Sequence, residues 1–218
     1  MNQPLSTQEI TSAVSDSLQQ DVGDIRTRVR DLTLRALQNR RLEADQIREV
    51  VRAVAQGVSL GAEHRAGEVK LALAAALSGL DDALAKAAQA TRLALQELLA
   101  KSKDFTDQDL KSALDDLKIT EQAFLDTLGQ VADAASSKIR QELKDAVEHV
   151  RRSGTDTGAS VKEALSELGN RLSATLQVSK IAGQEAAHTL NSRLAALASG
   201  ILAGMAEALR EKSEPGQK

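Results

Sequence analysis

A chain of 218 residues with 42% hydrophobic and 27% charged side chains has the composition of a folded protein, one large domain or two small ones. Its net charge of −3 gives no general pull towards nucleic acid, and the absence of cysteine excludes disulfides, thiolate metal sites and thiol chemistry. Phe105 and Phe124 are the only aromatic residues, so Ala and Leu must fill any core, which suits a thin helical bundle better than a ring-packed globule.

The only prolines, Pro4 and Pro215, lie near the termini, and nothing between them forbids helix. Ser6 and Glu9 have the spacing of a capping box, with Leu5 and Ile10 at staple positions. They predict a helix over 7–22 that stops at Gly23, followed by a second over 24–41. Leu42 and Ile47 repeat the staple spacing around Glu43, with Gln46 as the reaching side chain, and open a long helix over 44–102. Thr106 with Asp109, flanked by Phe105 and Leu110, opens a fourth over 107–152, after a break at 103–105. Thr120 is a candidate break in that helix, but the apolar stripe runs through it and one helix is read. The Gly- and Thr-rich stretch Ser153–Gly158 predicts a turn. Ser160 with Glu163 then caps a fifth helix over 161–212.

The long helix keeps one apolar face by an eleven-residue repeat. Ile47, Val58, Val69 and Leu80 form one row; Val51, Ala62, Leu73, Leu84 and Leu95 a second; Ala66, Leu77, Ala88 and Leu99 a third. Eleven residues in three turns is about 3.67 per turn, so the helix can run nearly straight for ~80–90 Å. The stripe formed by Ile47, Val51, Val58, Val69, Leu73, Leu80, Leu84 and Leu95 is the expected packing surface. Val50, Val54, Gly57 and Gly61 make a flanking stripe where glycines let the 24–41 helix approach closely. Short connections favour antiparallel neighbours. The expected fold is therefore all-α: an elongated antiparallel bundle of three long helices over 43–212, with a short N-terminal helical hairpin over 1–42 packed at one end and a flexible tail over 213–218.

Chemistry-bearing motifs are sparse. There is no phosphate-binding glycine loop, nucleophile elbow or H-E-x-x-H. Glu185 and His188 make an E-x-x-H pair, half of what a di-iron bundle repeats, but His149 has Asp145 four residues before it and no carboxylate three before. Asp81–Asp82 and Asp115–Asp116 are adjacent pairs, which point about 100° apart on a helix and do not converge on one ion. No metal, cofactor or catalytic residue is expected. Arg26, Arg28, Arg30, Arg35, Arg40, Arg41, Arg48 and Arg52 form a cluster that could meet phosphate groups. The interleaved acids favour ion pairs along helix faces instead: Asp24–Arg28 and Asp31–Arg35 at i,i+4, and Glu49–Arg52 at i,i+3.

The repeat over about 44–212, in an Ala-rich and aromatic-poor chain, resembles those of apolipoproteins and phasins, helical proteins that coat lipid particles or polyester granules. The segment KDFTDQDLKSALDDLKITEQAFLDTL followed by SGTDTG resembles an uncharacterised all-helical proteobacterial family. That second resemblance implies a bacterial cytoplasmic protein and supplies no activity and no site residues. MNQPLSTQEI has no basic region followed by an apolar core, so no secretory signal is expected. Leu194–Ala206 is too short for a bilayer span, which needs ~20 residues. The function expected is a non-enzymatic structural or interaction protein whose partner is protein, a second copy included. The alternative is a phasin-like coat on a lipid or granule surface, weakened by the lack of Trp and Tyr as interfacial anchors. Nucleic acid is not an expected partner.

Overall fold

The computed structural model describes residues 5–38, 44–101, 107–175 and 187–213. Among them are eight α-helices and no strand: α1 (Thr7–Ser17), α2 (Val22–Gln38), α3 (Ala44–His64), α4 (Val69–Lys101), α5 (Asp107–Ala134), α6 (Arg140–Ser153), α7 (Asp156–Thr175) and α8 (Ala187–Ser213). The described residues are all-helical, as the pattern predicts, but the helices expected over 44–102 and 107–152 are each interrupted. Each break has a local cause.

The first helix opens as expected. The Glu9 carboxylate accepts from the Ser6 N–H at 2.8 Å, and the Ser6 hydroxyl accepts from the Glu9 N–H at 3.2 Å. That closes the capping box and satisfies two orphan donors. Helix α1 ends at Ser17 rather than 22, and Gly23 lies inside the first turn of α2. The reason is Asp21, whose carboxylate accepts from the Gly23 N–H at 2.9 Å and so begins a new helix before the glycine.

The helix expected over 44–102 is interrupted between His64 and Val69. Glu68 adopts φ 50°, a left-handed conformation that no continuing α-helix contains. Arg65 secures the turn: its Nε donates to the Gly67 carbonyl at 2.9 Å, and its Nη1 donates to the carbonyls of Leu18 and Gln20. The chain reverses there. Helix α1 runs parallel to α3, since Thr11 donates to the Ala53 carbonyl and Gln19 to the Gly61 carbonyl. Helix α2 therefore starts beside the end of α3. Seventeen residues of α2 span ~25 Å, and only five residues lead back to Ala44, which reach at most ~20 Å. Helix α2 must run back along α3, and α4, beside α2, does the same. A rod of ~80–90 Å is replaced by a hairpin whose longer arm, α4, is ~50 Å.

The helix expected over 107–152 passes through Thr120 intact but breaks after Ala134. The Arg140 guanidinium takes the Ala135 carbonyl with two hydrogen bonds, at 3.0 and 2.8 Å, capping the end of α5. Helix α6 then folds back on α5: Lys144 pairs with Asp133 at 2.7 Å, and Arg151 reaches the Leu125 carbonyl. The fifth helix begins at Asp156, five residues before the expected start. Thr155, not Ser160, is its cap, accepting from the Gly158 N–H at 2.7 Å. The expected breaks and caps at Leu42–Glu43 and Lys103–Thr106, and the run through 176–186, lie outside the described residues.

Most of the core is one cluster, built on α1–α6 with Leu202 of α8. It crosses the expected boundary at residue 42, because α1 lies along α3 and α2 along α4. A second cluster joins Ala88 and Leu95 of α4 to Leu110, Ala113, Leu114 and Leu117 of α5 and Val161, Ala164 and Leu168 of α7. Glycines bring the helices together, though not as expected. A methyl group on Gly57 would lie 2.6 Å from the Thr11 carbonyl oxygen, and one on Gly61 would lie 2.7 Å from that of Ser15. It is α1, not the 24–41 helix, that lies on them. Helix α2 instead meets Gly79, where a methyl would overlap the Arg26 carbonyl oxygen.

Candidate functional site along helix α4

Helix α4 contacts α2, α3, α6, α7 and α8, which makes it the spine of the fold. Of the expected packing stripe, Ile47, Val51, Val58, Leu73, Leu80, Leu84 and Leu95 are buried and Val69 is partly buried. Ala66, expected in the third row, is exposed in the turn. The stripe is consumed by contacts with the protein's own helices.

Polar residues of α4 form a seam beside that stripe. Asp81 and Asp82 diverge, as adjacent helical positions must, and each serves a different neighbour. Asp82 receives two hydrogen bonds from Arg26 of α2, from Nε at 2.7 Å and Nη2 at 2.8 Å. This is the two-pronged geometry that suits guanidinium and carboxylate. Asp81 meets the N-terminus of α7. It accepts from the backbone N–H groups of Asp156 and Thr157 at 2.7 and 3.0 Å, and from the Thr157 hydroxyl at 2.6 Å. A carboxylate there answers both the unpaired amides and the positive end of the helix dipole. The Arg26 guanidinium is held above its ordinary pKa, first by hydrogen bonding to Asp82, then by the charge of Asp82, and more weakly by Asp156 and Asp81. Three turns further on, Arg92 Nη1 bridges Glu163 at 2.7 Å and Glu167 at 3.0 Å, and Gln96 also donates to Glu167.

A cavity of about 370 Å³ opens next to this junction, where Arg30, Lys86, Gln89, Ser160 and Leu209 converge from four helices. Lys86 donates to Gln89 at 3.0 Å within it. A second groove, of about 400 Å³, lies between α3 and α5, with the half-exposed Leu60 on its wall and Arg52 at its edge. What the seam does chemically is fix the register of α2 and α7 on α4.

The arginine cluster resolves into several environments. Arg28 pairs with Asp24 at 3.6 Å in the expected i,i+4 geometry, and Arg48 pairs with Asp45. Asp31 engages its neighbour Arg30 at 2.8 Å. Arg26 reaches across to another helix, a partner that spacing along one helix could not reveal. Arg40 and Arg41 lie outside the described residues, as do Glu185 and the side chain of His188. His64 and His149 are exposed on different helices. Among the described residues no three His, Asp or Glu side chains converge as metal ligands, and no helix is long and apolar enough to cross a membrane.

Arg65, Gly79, Asp81 and Arg92 organise the packing without being marked for that role by the sequence pattern. Gly79 carried a usable signal, a lone glycine within an apolar helical stripe. The other three partner residues remote in sequence. No curated protein and no solved structure matches the chain. Residues 1–211 match the model of a family of unknown function (DUF6781), and the chain belongs to that family.

Proposed function

We propose that this protein is a non-enzymatic structural or interaction protein of the bacterial cytoplasm. Its apolar stripes are spent on its own helices, and its partner is protein, a second copy included. We take the bundle to be elongated along α4, with α4, α5 and the α6–α7 path as three antiparallel, coiled-coil-like runs. One observation carries the reading: Leu73, Leu84 and Leu95, one repeat apart on α4, each have 0% exposure. A coat of the phasin type must free those side chains to lay them on a surface. Leu73 and Leu84 sit in the main core, and Leu95 in the cluster shared with α7, so freeing all three means opening both.

Sedimentation with phospholipid vesicles and with polyester particles tests this, using the intact chain and Leu84→Asp. The self-packed reading expects no co-sedimentation of the intact chain and cooperative melting. Leu84→Asp should lose several kcal/mol, the scale of a core truncation together with an unpaired buried charge. Binding to either particle that disappears in Leu84→Asp while helicity is retained would replace this reading with the coat.

A further inference from the structure

We propose that α7 is a hinged arm, latched onto α4 and α5 by polar contacts and able to leave them while the rest of the fold stays closed. The packing divides along this line. The α7 side chains Val161, Ala164 and Leu168 belong to the small second cluster, separate from the main core. The connections that seat the arm are polar at both ends of its described contact. At its start, Asp81 of α4 holds the first amides of α7, and Glu121 of α5 accepts from the Thr155 hydroxyl at 3.3 Å. Further along, Arg92 of α4 bridges Glu163 and Glu167. Arg92 Nε is buried with no hydrogen-bond partner among the described residues, so this latch closes with a donor left over.

The hinge precedes the arm. Gly154 has φ 81° and ψ 169°, a conformation open essentially to glycine alone, and no atom lies within 4 Å of where its side chain would be. Among the described residues no neighbouring element packs against that position, so it is the contacts of α7 itself that hold the arm in place. Opening would bare Leu95 of α4 and Leu110, Leu114 and Leu117 of α5, apolar side chains that are buried in the closed form. Charge-dependent contacts weaken with ionic strength while apolar ones do not, so salt becomes the control variable.

Hydrogen exchange on the full chain tests the proposal, with Arg92→Gln and Asp81→Asn beside the unaltered protein at about 0.05 and 1 M salt. A helix of this length is marginal once undocked, so opening is read as loss of amide protection. Amides of residues 160–168 should exchange about tenfold faster or more in either variant and at high salt, with those of α2 and α3 unchanged. Protection in α7 equal to that of α2 and α3 under every condition would overturn it, as would an α7 indifferent to salt. If a variant fails to fold, the salt series on the unaltered chain decides alone.

Discussion

A single methyl group at position 79 offers a sharp test of how α2 sits on α4. In an exposed helix, Gly→Ala stabilises by about 1 kcal/mol, because alanine has less backbone freedom to lose. At Gly79 the added carbon would overlap the Arg26 carbonyl oxygen and lie 3.1 Å from both the Arg26 carbonyl carbon and the Arg30 nitrogen. All three are backbone atoms of α2, so no side chain can rotate away and the whole helix must move. Moving it lifts Ile25 and Val29, both 0% exposed, from their seats and pulls Arg26 off Asp82. Overpacking of this kind costs about 3 kcal/mol, which leaves about 2 kcal/mol of net destabilisation after the propensity gain. For a chain of this size that lowers Tm by about 4–8 °C. Gly200 and Gly204 of α8 supply the internal control, since no atom lies within 4 Å of a side chain built on either. Gly200→Ala should therefore raise stability by about 0.5–1 kcal/mol. Urea and thermal unfolding followed by circular dichroism read both. A Gly79→Ala protein as stable as the unaltered chain, or more so, would refute the close packing of α2 on α4.

Glu68→Gly should stabilise by about 0.5–1 kcal/mol, because a left-handed residue gives up its steric penalty; unchanged or lower stability in urea would mean that the turn is built otherwise. The Glu9 carboxylate, held below its ordinary pKa first by the Ser6 backbone N–H and then by the Ser6 hydroxyl, contributes stability that is present above its unfolded pKa. That contribution is lost as pH falls through the folded value, so α1 amides should lose exchange protection in acid before those of α4. Glu9→Gln should remove that difference.

Burial was written in the sequence more clearly than connectivity. Apolar period identified α3, α4 and α5 as packed faces, and the Ser6–Glu9 box located the start of α1, because both are set by residues within one or two turns of each other. Thr155 and Ser160 show where such signals compete. Both have a hydroxyl suited to capping, and only the one meeting Glu121, with the Asp81 carboxylate waiting for the next two amides, starts a helix. The Asp81–Asp82 pair was legible as two carboxylates that cannot share an ion. That each would face a different helix follows from the same ~100° divergence, but which helices do so depends on the fold.

The eleven-residue repeat shows why direction escaped the pattern. Keeping Val51, Ala62, Leu73, Leu84 and Leu95 in phase satisfies a straight rod, since each falls on the same face after three turns. A hairpin with its reversal between Ala62 and Leu73 is satisfied equally, because both arms then turn that row into the core that they share with α1 and α2. The repeat constrains what is buried and is silent on what runs where. Direction is settled by polar groups whose partners are distant: Arg65 meets Leu18 from 47 residues away, and Asp81 meets Asp156 from 75. Buried apolar side chains tolerate sliding by a repeat, whereas a carboxylate facing two particular amides does not. In a chain this rich in Ala and Leu, interchangeable apolar contacts supply cohesion, and a few charged residues on one spine choose a single packing from the many that the stripes would allow.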